Sequence, residues 1–323
     1  MRIYGPVPSR RFGLSLGVDV LPHKTCSMDC IYCQLGPSDE TVIEQDTFYP
    51  VEKVLGDVAS ALQRGPRPDV ITLAGSGEPT LYRPLGDLLD GLHALADIPI
   101  LVITNSTMLH VPETAAAVLK ADILAPSLDA GDDETFRRIN QTHSGISFET
   151  MFEALRRVTH AHPGEVHLEV MLVKGLNDSE ESLIALRDRI ARLRVDRIDI
   201  NTPVRPPVPE RGAMPCSEET LHRAQALLGP KATPIADFRR AVVRPSDPRG
   251  KFFDQDKDIR EMLLRRPCSA ADIATGLRIS EPAVRESLQR MVAAGLVEMR
   301  EVLGTAYFHV SSENPTLIHS ESR

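Results

Sequence analysis

The stretch LSLGVDVLPHKTCSMDCIYC, residues 14–33, decides how the rest of the chain is read. An apolar run, Leu14–Val20, has the length and β-branched character of a buried strand. It breaks at Pro22 into a loop that carries Cys26, Cys30 and Cys33. Soft thiolates select zinc, copper(I) or iron-sulfur clusters. A structural zinc site wants four closed ligands. Only three cysteines are local here, with no His between them; His23 just precedes them, and Cys216 and Cys268 are remote. Three thiolates on a four-iron cluster would leave one iron open to a substrate or cofactor. The competing reading is a zinc knuckle that borrows a distant fourth ligand.

Outward from this loop, short apolar runs alternate with amphipathic segments. Strands are expected at Leu14–Val20, Val70–Leu73, Ile98–Ile103, Asp122–Ser127, Val166–Leu172 and Arg197–Asn201. Helices are expected at Val51–Arg64, Leu85–Leu95, Pro112–Lys120, Ser147–His160, Ser179–Arg194 and Ser217–Leu228. Alternation of this kind predicts an α/β fold with a parallel sheet. Six βα units are too few for a closed eight-fold barrel, so a partial (β/α)6 TIM-like barrel is expected; the pattern leaves a doubly wound sheet open. The cysteine loop then lies at the C-terminal face, where barrels collect ligands.

The proline-rich stretch Thr202–Pro215 reads as a loop, and Arg244–Phe253 as a linker. Beyond it, Asp256–Leu264 suits a helix, Ser269-Ala-Ala-Asp272 a capped helix start, and Ser280-Glu-Pro a third helix that ends at Gly295. Val297–Val302 and Thr305–Val310 read as a hairpin around Leu303-Gly304. Three helices and a hairpin predict a small winged helix. The expected divisions are 1–243, a core; 244–255, a linker; 256–310, the winged helix; and 311–323, a flexible tail. On the third helix, Val284, Leu288, Met291 and Val292 form the apolar stripe, with Arg285, Glu286, Gln289 and Arg290 outward. From Asp256 to Val310 there are eight Lys/Arg and eight Asp/Glu, too balanced for an ordinary DNA reader. The basic residues Arg239, Arg240, Arg244, Arg249 and Lys251 fall in front of it instead. RNA or protein is the contact expected of this module.

Several polar residues gather where strands end. Gly75-Ser76-Gly77-Glu78 follows the second expected strand; glycine permits close backbone approach, and Glu78 suits an ammonium partner. Asn105 and Ser127-Leu-Asp129 follow the third and fourth. Each could equally be turn or cap chemistry. On the fifth strand, Val166, Leu168, Val170 and Leu172 alternate with His167, Glu169 and Met171. The first set should face helices and the second the lumen, with Asp199 and Asn201 also inward. These suit a substrate cavity; for Glu169 the alternative is a buried ion-pair network. Lys24 and Lys174 are candidates for an anion or an imine, although each reads more simply as a solvated loop lysine.

Composition narrows the classes. With no Trp and 4% aromatic residues, the chain lacks the stacking platforms of single-strand nucleic-acid binders. A net charge of -8 argues against a basic coat. The N-terminus shows no secretory pattern, no run is long enough to span a bilayer, and the clustered cysteines suit a reducing compartment; a cytoplasmic protein is expected.

The C-x3-C-x2-C loop, together with Ser76-Gly-Glu-Pro-Thr80, resembles the radical S-adenosylmethionine (SAM) superfamily over about Gly5–Ala241. Gly5-Pro-Val-Pro-Ser-Arg-Arg11, Lys24-Thr-Cys26, Tyr32-Cys-Gln34, Ser127-Leu-Asp-Ala130 and Lys174-Gly-Leu-Asn-Asp178 are similar to a subgroup of prokaryotic Fe-S oxidoreductases grouped with wyosine-type transfer-RNA synthetases. The resemblance implies a [4Fe-4S] cluster on Cys26, Cys30 and Cys33, and SAM chelating the remaining iron. It further implies reductive cleavage to a 5'-deoxyadenosyl radical that abstracts hydrogen from a substrate, with a transfer-RNA-related substrate the one the subgroup suggests. It implies SAM contacts at Tyr32, Gly75, Ser76, Gly77, Glu78, Asn105, Ser127, Asp129 and Met171. Ser76 departs from the family's first glycine. Lys24, His167, Glu169, Lys174 and Asn201 are the candidate substrate residues. A reductant such as flavodoxin or ferredoxin is the implied protein partner. Wyosine synthetases carry a second cluster on further N-terminal cysteines; no Cys precedes Cys26, so pyruvate condensation is not expected. The rival function is a cluster-dependent DNA-binding regulator that uses the winged helix.

Overall fold

The structure, a computed structural model, describes residues 3–9, 11–204, 211–235, 255–264, 267–277, 279–302 and 304–310. The chain folds as two compact units. The first is built on one eight-stranded sheet: β1 (Ile3–Ser9), β2 (Gly13–Val18), β3 (Val70–Leu73), β4 (Ile100–Thr104), β5 (Ile123–Pro126), β6 (Glu165–Met171), β7 (Arg197–Asn201) and β8 (Ala232–Pro234). Every strand neighbours its predecessor in the chain. That sequential order removes the doubly wound alternative, in which the order must reverse. From β2 onward all pairs are parallel, and β1 lies antiparallel on the edge.

The six expected strands are β2 to β7, each within two residues of its expected start. The hairpin strand β1 and the short β8 are additions. Helices α1 (Val51–Arg64), α2 (Leu85–Leu95), α3 (Pro112–Val118), α4 (Asp133–Asn140), α5 (Phe148–Ala161), α6 (Glu180–Ile190) and α7 (Glu218–Leu228) fill the connections. Of these, only α4 has no counterpart in the sequence reading. Ser147, Ser179 and Ser217 cap α5, α6 and α7 by accepting backbone N–H bonds, as their side chains favour.

The alternation on β6 explains how the sheet is used. Val166, Leu168 and Val170 are fully buried in the core between sheet and helices, together with Val54 and Val58 of α1 and Leu88 and Leu92 of α2. His167, Glu169 and Met171 point the other way and are partly buried. The inner face is strongly curved. Flat, β2 and β6 would lie about 19 Å apart at ~4.8 Å per strand. Yet Arg11, at the β1–β2 turn, is ion-paired with Glu169 of β6 and Asp199 of β7. Phe12 packs on the His167 ring at 5.3 Å. The sheet is therefore an open barrel whose inner walls meet. Val70, Leu101 and Ala125 with Phe12 make an apolar layer inside it.

The second unit contains α8 (Gln255–Leu263), β9 (Cys268–Ser269), α9 (Ala270–Leu277), α10 (Glu281–Ala293), β10 (Val297–Val302) and β11 (Thr305–Val310). The hairpin has the expected bounds, and β9 adds a third antiparallel strand beside β11. Ser269 and Asp272 exchange backbone bonds, each 3.1 Å, as a reciprocal cap. Val284, Leu288 and Met291 are buried as expected. Val292 is 41% exposed, because it falls one position off the stripe that faces α8 and α9. The architecture is a winged helix. The expected linker (244–255) lies outside the described residues except for Gln255, which opens α8, and the expected tail (311–323) lies wholly outside them. Among the described residues, no helix is long and apolar enough to cross a membrane.

Candidate active site

The cysteine loop leaves β2 at the C-terminal edge of the sheet and is pinned from two sides. Toward β3, the Glu78 N–H donates to the Thr25 carbonyl at 3.0 Å. Gly77 is required here, since a Cβ at that position would stand 1.7 Å from the Thr25 oxygen. Toward α4, the N–H groups of Asp29 and Ile31 donate to the carbonyls of Asn140 and Ile139 at 3.1 and 3.0 Å. Lys24 has φ +58°, the left-handed turn that folds the loop inward.

Cys26, Cys30 and Cys33 are free thiols, each partly buried. Asn105 Nδ2 lies 3.5 Å from Cys26 Sγ, and Asn140 Nδ2 lies 3.4 Å from Cys30 Sγ. Burial, and next the charge of Glu78, pushes the Cys26 thiol up to about 12. Burial and the neighbouring Cys26 push Cys30 up as well. Thiols in such a place stay protonated unless a positive centre replaces the proton. Among the described residues no three His, Cys, Asp or Glu side chains converge on the position of a single ion. Three soft donors that share one space, with N–H groups aimed at sulfur, fit an iron-sulfur cluster.

The strand-end residues hold this loop in place. Glu78 is 2% exposed. Its Oε1 accepts from the Thr80 N–H at 3.0 Å, the Thr80 hydroxyl at 2.5 Å and the Thr104 hydroxyl at 2.7 Å; its Oε2 accepts from the Asn105 N–H at 2.6 Å. Burial pushes this carboxyl up, and those donors pull it back. One Oε2 lone pair is left over. Gly75 and Ser76 lie against Asp19, whose carboxylate accepts from the Ser76 N–H and hydroxyl at 3.1 and 2.5 Å. The departure at Ser76 thus has a partner. Buried Asp129 accepts from the Tyr32 hydroxyl, from Asn140 Nδ2 at 2.7 Å and from the Met171 N–H at 2.8 Å. Ser127 pairs with Glu169 across β5 and β6, and its carbonyl accepts from Ser106 at 3.1 Å.

The lumen residues behave differently from the expectation of an open substrate cavity. Glu169 is paired with Arg11, so the alternative of a buried ion-pair network is the one realised. Asp199, fully buried, takes Arg11 at 3.2 Å and Arg197 at 2.5 Å. Burial lowers the Arg11 pKa, and these two carboxylates more than restore it. His167 Nε2 pairs with Glu165 at 2.7 Å. Asn201 caps its own strand through the Thr202 N–H at 3.0 Å. Lys174 is exposed, as expected of a loop lysine. Lys24 is not: it is 8% exposed and pairs with Asp29 at 3.2 Å. The left-handed turn at its own backbone carries the side chain inward.

Three contributors escaped the sequence reading. Arg211 clamps both Asp29 oxygens at 2.8 and 2.7 Å and the Cys30 carbonyl at 3.3 Å. Asn140 links Asp129, Tyr32 and Cys30. Asn177 binds the carbonyls of Asp129 and Met171, both at 2.8 Å. Asn177 alone carried a signal, as part of Lys174-Gly-Leu-Asn-Asp178. Cys216 and Cys268 are buried elsewhere in the fold, Cys216 beside Asp178 at 3.8 Å and Cys268 in β9.

A family model described as "Radical SAM superfamily" matches residues 20–186, and one described as "Bacterial regulatory protein, arsR family" matches residues 258–299. The chain is 35% identical over 310 residues to a protein named GTPase Obg from Brachyspira hyodysenteriae, covering 96% of this chain and 45% of that one. It is 33% identical over 206 residues to a UPF0026 protein of Methanocaldococcus jannaschii, covering 63% of this chain and 64% of the relative. A UPF0026 protein of Synechocystis is 32% identical over 206 residues, 63% of this chain and 76% of its own. The chain thus spans about half the length of the first relative and under two thirds of the second. In fold it is similar to TYW1 with a lysine-pyruvate adduct bound, at a TM-score of 0.51 and 18% identity, covering 70% of this chain and 75% of that one. It is also similar to a radical SAM methyltransferase from Sphaerobacter thermophilus, at a TM-score of 0.54 and 19% identity, covering 70% and 67%.

Proposed function

Because the chain belongs to the radical SAM superfamily, we propose that Cys26, Cys30 and Cys33 hold a [4Fe-4S] cluster and that SAM binds beside it. When bound, these groups would supply an electron that splits a carbon-sulfur bond of SAM, giving a 5'-deoxyadenosyl radical that takes hydrogen from a substrate. The observation that carries this reading is the set of three thiols at the sheet's C-terminal mouth, with carboxamide N–H groups on two of them.

The chain's own residues do the positioning. Gly77 lets the loop seat against the β3 end. Asp129 fixes Tyr32 and Asn140 against Cys30. Ile31, Ile139, Val173 and Ala213, packed with Tyr32 and Met171, screen that side of the loop from water. Gly75, Ser76, Glu78, Asn105, Ser127 and Met171 are the SAM-facing set in this reading. A flavodoxin- or ferredoxin-type protein is the electron source.

The regulator reading gains nothing from α10. Arg285 pairs with Glu281 at 2.5 Å, and Arg290 pairs with Glu286 and Asp256, so both arginines are already matched by acids. The test is anaerobic reconstitution with iron and sulfide, followed by reduction with SAM present. 5'-Deoxyadenosine should form, and Cys30→Ala should abolish both the cluster's absorption and that product. A reduced, cluster-loaded chain that never makes 5'-deoxyadenosine would sink the reading. Parallel arms with and without transfer RNA test for the substrate class of the wyosine-like subgroup.

A further inference from the structure

Three nitrogen-bearing side chains gather at the cysteine loop, and each comes from a different place in the chain. Asn105 follows β4, Asn140 ends α4, and Lys24 lies in the cysteine loop itself. The orientation of both carboxamides is fixed by their other partners. Asn105 Oδ1 accepts from the Thr107 N–H and hydroxyl at 3.0 and 2.7 Å, so its Nδ2 must face Ser27 and Cys26. Asn140 Nδ2 donates to the Asp129 carboxylate, so the same nitrogen faces Cys30.

The Lys24 ammonium is turned into the cysteine loop, where it pairs with Asp29 at 3.2 Å, and the Cys33 sulfur acts on its charge. Asp29 is shared: the Arg211 fork engages both of its oxygens at 2.8 and 2.7 Å. One carboxylate therefore faces two cations, which leaves a surplus positive charge in the cysteine loop. The arrangement is kept although Lys24 must adopt a left-handed backbone and bury a side chain that is only 7% exposed.

We infer that Lys24, with Asn105 and Asn140 beside it, is a positioning residue that sets the reduction potential of the cluster held by these thiols. The inference rests on the cluster assignment proposed above. Reduction adds negative charge to a cluster, and N–H groups and a cation on its sulfurs stabilise the reduced form more than the oxidised one, which raises the potential.

The test uses the full chain, reconstituted anaerobically, as wild type, Lys24→Met, Lys24→Arg and Asn140→Ala. Iron and sulfide content and the midpoint potential from a spectroscopically followed reductive titration are measured without SAM. Lys24→Met should load a cluster with a midpoint shifted to more negative potential. Lys24→Arg should recover most of that shift, and Asn140→Ala should show a smaller shift of the same sign. Cluster-loaded variants that share the wild-type midpoint overturn the inference. If Lys24→Met takes up no cluster, the Asn140→Ala midpoint decides by the same criterion. A wild-type chain that binds no iron and sulfide overturns the cluster assignment instead, and is distinguished from the other outcomes by metal content alone.

Discussion

Inside the sheet, Arg11 stands between Glu169 and Asp199, and Arg197 takes the remaining Asp199 oxygen. Two carboxylates meet two guanidinium groups, and the set closes on itself. At the mouth, the count around Cys26, Cys30 and Cys33 does not close. Carboxamide N–H donors face Cys26 and Cys30, thiols that burial holds in their protonated form. A closed set of buried charges braces a fold, whereas donors converging on protonated thiols are arranged for something that would replace those protons. On the function proposed above, this difference gives the lumen network to structure and the mouth to chemistry.

The contrast breaks most sharply at Arg11. Arg11→Met leaves the partly buried Glu169 without its cation and the buried Asp199 with Arg197 alone, and should cost about 2–4 kcal/mol. Urea unfolding of the metal-free chain reads this directly, and a loss below about 1 kcal/mol would mean that the lumen set is not closed as described. At the mouth, Gly77→Ala forces the β3 end away from Thr25 and should cost about 1–3 kcal/mol. It should also lower iron uptake after reconstitution, which Arg11→Met at permissive temperature should not; the two measurements together separate brace from site. The smallest effect concerns a thiol away from both sets. Burial, and next the Asp178 charge, pushes Cys216 up to about 11 in the folded chain. A raised thiol adds stability while protonated, below its unfolded value of ~8.5. That stability is lost as the pH climbs through about 11. The metal-free chain should therefore weaken over this alkaline window, and Cys216→Ala should flatten the slope; an unchanged slope contradicts the assignment.

What could be read in advance follows from what leaves a periodic trace. The strands β3 and β7 have their expected bounds because a short β-branched run (Val70–Leu73) and a strict polar–apolar alternation (Arg197–Asn201) leave little freedom. Strand β1 was hidden by Pro6 and Pro8, which argue against a strand; it survives as an antiparallel edge with an irregular register between Tyr4 and Val7. The cysteine spacing and the Gly77-Glu78 step were legible as motifs, and the structure brings them together at one end of the sheet. Lys24 was misjudged because loop sequence carries no period from which burial can be inferred, and its left-handed turn has no signature in a lysine. Arg211 was missed for a different reason. It sits in a proline-rich segment 182 residues from Asp29, and nothing local marks such a contact. Asn140 lies at the end of a short helix that the pattern did not reveal. The role of Glu169 was visible only as two alternatives, since alternation shows which way a side chain points and not what it meets.

The most direct measurement is the electron paramagnetic resonance spectrum of the reduced, reconstituted chain, recorded before and after SAM is added. An iron without a protein ligand predicts that SAM alters the signal and that Lys24→Arg keeps the response. A signal that SAM leaves unchanged, from a cluster whose irons all carry side-chain ligands, would contradict it.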